Sequence, residues 1–219
     1  RLAFYSYAHV PWIKGNGQRG FNDEDIPKDD KKRMLYETGK KLLFENGYHE
    51  IGMDHFALKT DTLYDAFENG TLHRNFMGYS SSKTKLMIGL GVSSISDSWY
   101  SFAQNVKSLE EYYQLLERNK LPVYRGHLLT GEDLIIRKHI LNLMCQFETS
   151  WKNQEAYFEE IPEVLNQLKE MENDGLLIIK ENSIAVTEKG KPYVRNICMA
   201  FDLRLKRKAP ETELFSMTI

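Results

Sequence analysis

The sequence contains few cysteines and no long apolar run. Cys145 and Cys198 are its only cysteines, and two isolated cysteines in a chain of this size predict buried thiols in a reducing compartment. They provide no metal-ligand spacing. No apolar run approaches the length of a membrane span, and no secretory h-region is present. These absences predict a cytoplasmic protein with no membrane partner.

Positive charge is not in excess either. The 219 residues carry a formal charge of −2 and have a sequence pI of about 6.4. The chain therefore lacks the overall excess of positive charge that is typical of nucleic-acid-binding proteins. The length suffices for one or two domains with a real core. Because the chain enters a strand-like run immediately after Arg1, we expect it to be a piece of a longer protein.

The first part of the chain predicts an α/β unit. Leu2–Val10 is β-prone, and an amphipathic helix capped by Asp29 or Asp30 extends to about Asn46. A strand over residues 48–53 follows. Strand, loop, helix and strand in this order form the repeating unit of a parallel sheet or barrel.

The next segments predict a helix, a loop and a strand. Residues 61–69 predict the helix, whereas 71–83 fit neither the helical nor the strand period and predict a loop laid over another part of the protein. Residues 86–92 predict a buried strand. The pattern Gly89-x-Gly91 is weak evidence for dinucleotide binding, because the third glycine is absent.

The second half of the chain is mainly helical and predicts a winged-helix-like module. We place the boundary so that residues 1–110 form the catalytic α/β part and residues 111–219 form a cover domain. The predicted elements are helices over 108–120, from Thr130 in a capping box with Asp133, over 154–173 and over 192–208, and a hairpin around Glu181–Ser183.

Polar side chains follow apolar runs in two places. Asp54 and His55 come directly after a predicted strand, and His73, Arg74 and Asn75 lie in the later predicted loop. In α/β proteins, residues at the C-terminal ends of strands line the mouth where ligands bind. We therefore expect these five residues in the wall of a site.

The sequence leaves three ligand classes open, and a divalent metal ion and nucleic acid are the first two. His9, Asp54, His55 and His73 could hold a divalent ion for a metal-dependent hydrolase, although adjacent residues such as Asp54 and His55 face opposite sides of a strand. A winged-helix module could bind nucleic acid. The helix before its hairpin, within residues 159–174, is however acidic and would repel phosphate.

A ligand with carboxylate groups is the third class. Arg74, Arg125 and Arg137 lie beside aromatic and glycine-rich segments. A guanidinium group matches a carboxylate in bidentate geometry. Ordinary ion pairing with the many acidic residues of the chain is the competing explanation for each of the three.

Several longer strings resemble one known family. Together and in this order, they resemble the oxygen-independent coproporphyrinogen III oxidases (coproporphyrinogen dehydrogenases) of the radical SAM class. The resemblance extends from Phe4 to Ile219, and HRNF separates this family from its haem-chaperone relatives. The strings are YAHVPW (7–12), IGMDHFA (51–57), LHRNFMGY (72–79), GLGVSSIS (89–96) and RNICMAFD (195–202).

The resemblance implies a fold and a reaction. The chain would form the last strand and helix units of a partial (β/α) radical SAM barrel, followed by the helical cover domain. The intact enzyme would be an oxidoreductase of haem biosynthesis that converts coproporphyrinogen III to protoporphyrinogen IX. It would use a 5′-deoxyadenosyl radical derived from S-adenosylmethionine with a 4Fe–4S cluster.

The resemblance also implies site residues and a partner segment. Positions matching Ala8 and Ile95 contact S-adenosylmethionine in the family, and Tyr79 joins the candidates for the site wall. The CxxxCxxC motif that holds the cluster in the family is absent from this chain. We therefore expect that motif in the N-terminal half of the same parent protein, and we expect the isolated fragment to be inactive.

We predict that the isolated chain binds no iron–sulfur cluster, because two cysteines far apart in sequence cannot supply the set of thiolates that a cluster needs. Anaerobic reconstitution with iron and sulfide, followed by an absorbance spectrum, measures this directly. A stable iron-bound chromophore with stoichiometric sulfide would contradict the prediction.

Overall fold

The computed structural model describes residues 1–7, 9, 18 and 20–208. Within these residues the structure is mixed α/β, with four small sheets in which every strand pair is antiparallel. The described residues fall into two compact units. The first contains Arg1–Asp65 and the described residues from Leu203 onward, and the second contains Ala66–Asp202.

Short strands and helices alternate along the whole chain. Up to residue 105 the elements are β1 (Leu2–Ala3), a 3₁₀ turn (Asp23–Asp25), α1 (Asp29–Glu45), β2 (Tyr48–Gly52), β3 (His55–Leu58), α2 (Thr62–Glu68), β4 (His73–Asn75), β5 (Gly78–Ser80), β6 (Leu86–Met87), β7 (Ile95–Ser98) and β8 (Ser101–Asn105). They continue with α3 (Leu109–Glu117), β9 (Val123–Leu128), α4 (Gly131–Gln146), β10 (Glu148–Ser150), a 3₁₀ turn (Gln154–Ala156), α5 (Ile161–Asn173), β11 (Leu177–Lys180), β12 (Ser183–Val186), a 3₁₀ turn (Glu188–Tyr193), α6 (Val194–Met199) and α7 (Leu203–Lys208).

The sheet of the first unit corrects the predicted parallel pair. Strands β1 and β2 run in the same direction, as expected for strands joined through α1, but β3 lies between them and is antiparallel to both. The physical reason is a tight turn after β2, where Met53 adopts φ +45° and reverses the chain. The strand predicted over 48–53 therefore ends at Gly52, and His55 begins the next strand.

Helix α1 confirms the predicted extent but not the predicted cap. Its N-cap is Lys28, which makes no side-chain capping hydrogen bond, and Asp29 and Asp30 lie in the first turn, where acidic groups favour the helix dipole. Gly47 follows the C-cap with φ +79°, a left-handed conformation that glycine adopts at no steric cost.

Two segments of the second unit differ from the sequence prediction. Residues 71–83, predicted as a loop, contain the β4–β5 hairpin. Residues 86–92, predicted as a buried strand, contribute only β6, and Leu90 is 83% exposed. Positive φ angles at Gly91 and Ser93 keep the later part of this segment from being extended.

The helical part of the second unit confirms several predictions. In the capping box of α4, Thr130 Oγ1 accepts a hydrogen bond from Asp133 N, and the Asp133 carboxylate accepts one from Thr130 N. The predicted hairpin is β11–β12. The third predicted helix begins later, at Ile161, and the last one is divided into a 3₁₀ turn, α6 and α7. The winged-helix assignment stays a prediction, as does the boundary at residue 110.

The core of the second unit surrounds His139 on α4. This side chain is 1% exposed and lies 5.5 Å from the ring of Phe201 and 5.7 Å from the ring of Phe158. Its Nε2 donates to the carbonyl oxygen of Ala156 at 2.7 Å, so Nδ1 accepts from Thr149 Oγ1 at 2.8 Å. Burial lowers the pKa of His139, which agrees with this neutral tautomer.

None of the helices in the described part of the chain is long and apolar enough to cross a membrane.

We predict that Gly190→Ala destabilises the fold. A Cβ at Gly190 would lie 1.7 Å from the carbonyl oxygen of Leu176, and that oxygen is already held by a hydrogen bond from Thr187 N at 3.0 Å. The backbone must shift, at a cost of about 2–3 kcal/mol, so we expect the melting temperature to fall by roughly 5–10 °C. Gly131→Ala is the control, because nothing lies within 4 Å of its added Cβ. Equal melting temperatures for the two variants would contradict the prediction.

Candidate functional site

The β4–β5 hairpin presents four of the predicted site residues, His73, Arg74, Asn75 and Tyr79. Asn75 pairs with Gly78, and the two exposed residues between them form the turn. Asn75 Oδ1 accepts a hydrogen bond from Met77 N at 2.9 Å, and Gly78 adopts φ +117°. This side-chain turn explains why a segment without strand periodicity forms a hairpin. The Asn75 side chain thereby holds the turn of the hairpin.

Arg74 and Tyr79 face each other across this hairpin. They are directly paired in the register, and the guanidinium carbon of Arg74 lies 4.7 Å from the centre of the Tyr79 ring, a cation–π arrangement. Tyr79 Oη donates a hydrogen bond to the carbonyl oxygen of Met144 in α4 at 2.8 Å. Burial raises the pKa of Tyr79 and outweighs the opposing effect of Arg74, so the phenol is a neutral donor. The hairpin is thereby fixed on α4.

The charge of Arg74 has no carboxylate partner among the described residues. Its Nη1 is buried and donates no hydrogen bond to any of them. Burial raises the pKa of Cys145 to about 11 and that of Cys198 to about 12, although Arg74 acts in the opposite direction on both thiols. Arg74 therefore lies over a ring face and within electrostatic range of two thiols that stay neutral. A buried, unused guanidinium donor costs free energy, which an anion bound from outside would offset.

Arg137 contrasts with Arg74 because both of its terminal nitrogens have protein partners. Its Nη2 donates to both Asp97 oxygens, at 2.8 and 3.1 Å, and its Nη1 donates to the carbonyl oxygens of Ser98 and Trp99. The guanidinium also lies between the rings of Trp99 and Phe102, at 4.8 and 5.0 Å. Arg137 thus joins α4 to the sheet of β7 and β8, and ordinary ion pairing explains it.

Arg125 lies on the exposed strand β9, where its Nε donates to Gln104 Oε1 at 2.8 Å. His73, next to Arg74, is buried, and its pKa is lowered by burial first and then by Lys83 and Arg137. His73 is therefore a neutral side chain at neutral pH.

The remaining predicted residues of this group lie in the first unit. Asp54 is in the turn between β2 and β3, and its carbonyl oxygen accepts from Phe4 N at 2.7 Å. His55 begins β3, opposite Ala3. His9 donates from Nε2 to the carbonyl oxygen of Gln18 at 3.0 Å. Wherever the chain is described, no three His, Cys, Asp or Glu side chains gather closely enough to hold a metal ion, so the metal-dependent alternative gains no support.

Of the two predicted cofactor contacts, one falls within the described residues. Ala8 lies outside them. Ile95 is the half-buried first residue of β7, where it pairs with Gln104. The preceding loop exposes Ile88 and Leu90.

Sequence reasoning missed the neighbours of Arg74. Tyr79 and Met144 are 65 positions apart in the sequence, so no local pattern predicts their contact, and no spacing rule links Cys145 or Cys198 to the hairpin. The one available signal is that both cysteines lie among apolar residues of helices, which predicts buried thiols but not their neighbour.

Comparisons with known proteins identify close relatives. No protein-family model matches the chain. The chain is 39% identical over 214 residues to the oxygen-independent coproporphyrinogen III oxidase of Escherichia coli, covering 95% of the chain and 47% of that protein. The enzyme of the same name from Synechocystis sp. is 35% identical over 228 residues, covering 100% of the chain and 48% of that protein.

A solved structure gives the same result. It is described as coproporphyrinogen III oxidase from Escherichia coli, a radical SAM enzyme, and it is 38% identical with a TM-score of 0.84. The match covers 91% of this chain and 47% of that one, so the chain spans about half the length of the relatives it matches. The predicted resemblance is confirmed: over nearly its whole length, the chain is similar to part of the oxygen-independent coproporphyrinogen III oxidases.

We predict that Arg137→Lys destabilises the fold, whereas Arg125→Lys does not. Lysine retains the charge but cannot bind both Asp97 oxygens in one plane or stack between two rings, so we expect a loss of about 1–3 kcal/mol. Thermal unfolding of both variants measures the difference. If the two variants melted together, the structural role assigned to Arg137 would be wrong.

Proposed function

We propose that this chain is the substrate-binding part of an oxygen-independent coproporphyrinogen III oxidase. The whole enzyme would convert coproporphyrinogen III to protoporphyrinogen IX by oxidative decarboxylation of two propionate groups in haem biosynthesis. Similarity to enzymes of that name supports the reaction class. The observation that carries the proposal for this chain is Arg74, a guanidinium with a buried, unused donor and no carboxylate partner among the described residues.

Coproporphyrinogen III requires the kind of group that Arg74 offers. It is a macrocycle with four carboxylates, and a guanidinium fork binds a carboxylate through two parallel hydrogen bonds. Tyr79 stacks against the guanidinium group of Arg74, and its own anchor on α4 limits how far the pair can move. The pair would therefore hold a propionate in a fixed position with little loss of side-chain entropy on binding.

The neighbours of Arg74 support the same role. Cys145 and Cys198 have raised pKa values, so at neutral pH they are neutral and do not compete with a substrate carboxylate for the guanidinium. His73 and Asn75 stay candidates for the wall of the site beside Arg74, and the predicted role of Asp54 and His55 on the first unit stays a prediction. His73 would contribute a neutral imidazole, in keeping with its lowered pKa.

The radical SAM class uses a 4Fe–4S cluster and S-adenosylmethionine, and the two groups fit this chain differently. The chain has two cysteines, both buried and kept protonated, so its residues do not fit the cluster. We propose that the N-terminal half of the parent protein supplies the ligands and that the fragment alone is inactive.

S-adenosylmethionine fits the residues before β7 better. Ile88, Leu90 and Val92 are exposed there, and they offer apolar contact to an adenine ring beside the predicted contact Ile95. This segment would bind the adenosyl group and help to exclude water, and the contact predicted for Ala8 stays a prediction outside the described residues. Bound S-adenosylmethionine would supply the group that takes hydrogen from the propionate.

The same proposal covers domain layout and location. Residues 1–110 would complete a partial (β/α) barrel with the N-terminal half, residues 111–219 would form a winged-helix-like cover, and the protein would act in the cytoplasm. The order of α4, α5 and the β11–β12 hairpin supports the cover assignment. We expect neither a nucleic-acid nor a membrane partner.

We predict that Arg74→Ala in the full-length protein raises the KM for coproporphyrinogen III or abolishes turnover. Loss of a charge-assisted carboxylate contact in a dry site costs about 2–4 kcal/mol, or roughly thirty- to a thousand-fold. Arg74→Lys should recover only part of this, because an ammonium cannot match two oxygens in one plane. Steady-state kinetics measure both variants, and Arg125→Ala on the exposed strand β9 is the control.

Two further measurements separate substrate binding from bracing of the hairpin. If Arg74 binds substrate, its alanine variant keeps the melting temperature and the uncoupled cleavage of S-adenosylmethionine. A parallel fall of both would instead identify Arg74 as a structural residue and overturn the proposal.

A further inference from the structure

The segment between β6 and β7, residues 88–94, has an unusual combination of order and exposure. Ile88 is 67% exposed and Leu90 83%, so these large aliphatic side chains contribute little to the core. The backbone nevertheless has a tight, defined path, with φ +94° at Gly91 and φ +59° at Ser93. A non-glycine residue in the left-handed region costs free energy and persists only where its surroundings impose it.

Asn105, at the end of β8, imposes much of this path. Its Nδ2 donates to the carbonyl oxygens of Gly89 and Gly91, at 3.2 and 2.8 Å, and its backbone N donates to the carbonyl oxygen of Ser94 at 2.9 Å. Asn105 is only 7% exposed. One residue therefore holds three carbonyl groups of the segment from one side.

Strand β8, which carries Asn105, pairs irregularly with its neighbour next to this residue. The pairing of β8 with β9 shifts between Gln104 and Asn105, and such an irregularity changes the direction of the next side chain. Other contacts complete the restraint: Gly91 N donates to Tyr112 Oη at 3.1 Å, and Ser93 N donates to the carbonyl oxygen of Val106 at 2.8 Å.

These hydrogen bonds fix the conformation of an exposed segment, not of buried core residues. They set the directions of exposed aliphatic side chains and of the chain as it enters β7 at Ile95. Fixing a surface before a ligand arrives lowers the entropy that binding must overcome. The hydroxyl of Tyr112 and the amide of Asn105 thus act on the shape of residues 88–95 without facing a ligand themselves.

We infer that Asn105 is a positioning residue, which holds residues 88–95 in the shape that receives the adenosyl group of S-adenosylmethionine. This inference rests on the proposed function, in which Ile95 contacts that cofactor. Asn105 is suited to the task because a neutral amide nitrogen supplies two donors. An aspartate of the same shape would instead turn acceptor oxygens toward two carbonyl groups.

The test uses full-length protein carrying Asn105→Asp, with Asn105→Ala as a second variant that removes the donors without adding charge. Asn166→Asp, on the exposed face of α5, makes the same chemical change away from the segment and is the control. Calorimetry measures the Kd of S-adenosylmethionine, fluorescence quenching measures the Kd of coproporphyrin III, and hydrogen exchange follows the amides of Gly91 and Ser93.

The expected result is selective. Both Asn105 variants should weaken S-adenosylmethionine binding at least about tenfold and speed exchange at Gly91 and Ser93, while porphyrin affinity stays within about twofold of the control. Unchanged cofactor affinity in either folded variant would overturn the inference, and so would an equal loss of both affinities, since that pattern indicates a general structural defect. If the unsubstituted protein bound no S-adenosylmethionine, the proposed function would fail first and the inference with it.

Discussion

One buried hydrogen bond, from Tyr79 Oη to the carbonyl oxygen of Met144, determines where the candidate site lies on the second unit. A buried phenol without a partner would cost about 1–3 kcal/mol, so the hairpin has one favoured position on α4. The register then places Arg74 over the Tyr79 ring. The β4–β5 hairpin has little core of its own, and its contact with α4 therefore fixes the position of the Arg74 guanidinium.

Arg74 and Arg137 show that residue type does not determine role. Arg137 binds Asp97 with both oxygens, donates to two carbonyl groups and lies between two rings, so little of its guanidinium is left for a ligand. Arg74 has one ring face and a donor without a partner among the described residues. A guanidinium that is already paired gains little free energy from binding a further anion, whereas an unpaired one gains much. The unused donor, and not the neighbouring sequence, therefore identifies Arg74 as the candidate for ligand binding.

What could be predicted from the sequence was local. The Thr130–Asp133 capping box and the end of α1 near Asn46 depend on a few adjacent residues, and both were predicted correctly. The reversals at Met53 and Ser93 were missed, because neither residue is glycine and a positive φ angle at other residues leaves no local signal in the sequence. The same reason applies to the site: HRN was recognised as a candidate, but the neighbours of Arg74 lie on α4 and α6, beyond any spacing rule.

Burial of the two thiols connects the binding and the redox parts of the proposal. The low-dielectric environment that raises the pKa values of Cys145 and Cys198 keeps both thiols from serving Arg74 as counter-ions, which favours a carboxylate ligand. The same environment disfavours thiolates, and iron binds thiolates. Burial of the two thiols therefore favours the binding of a carboxylate at Arg74 and disfavours the binding of an iron–sulfur cluster by the same cysteines. If this chain serves a radical SAM reaction, anion recognition and cluster binding must then reside on different segments of the parent protein.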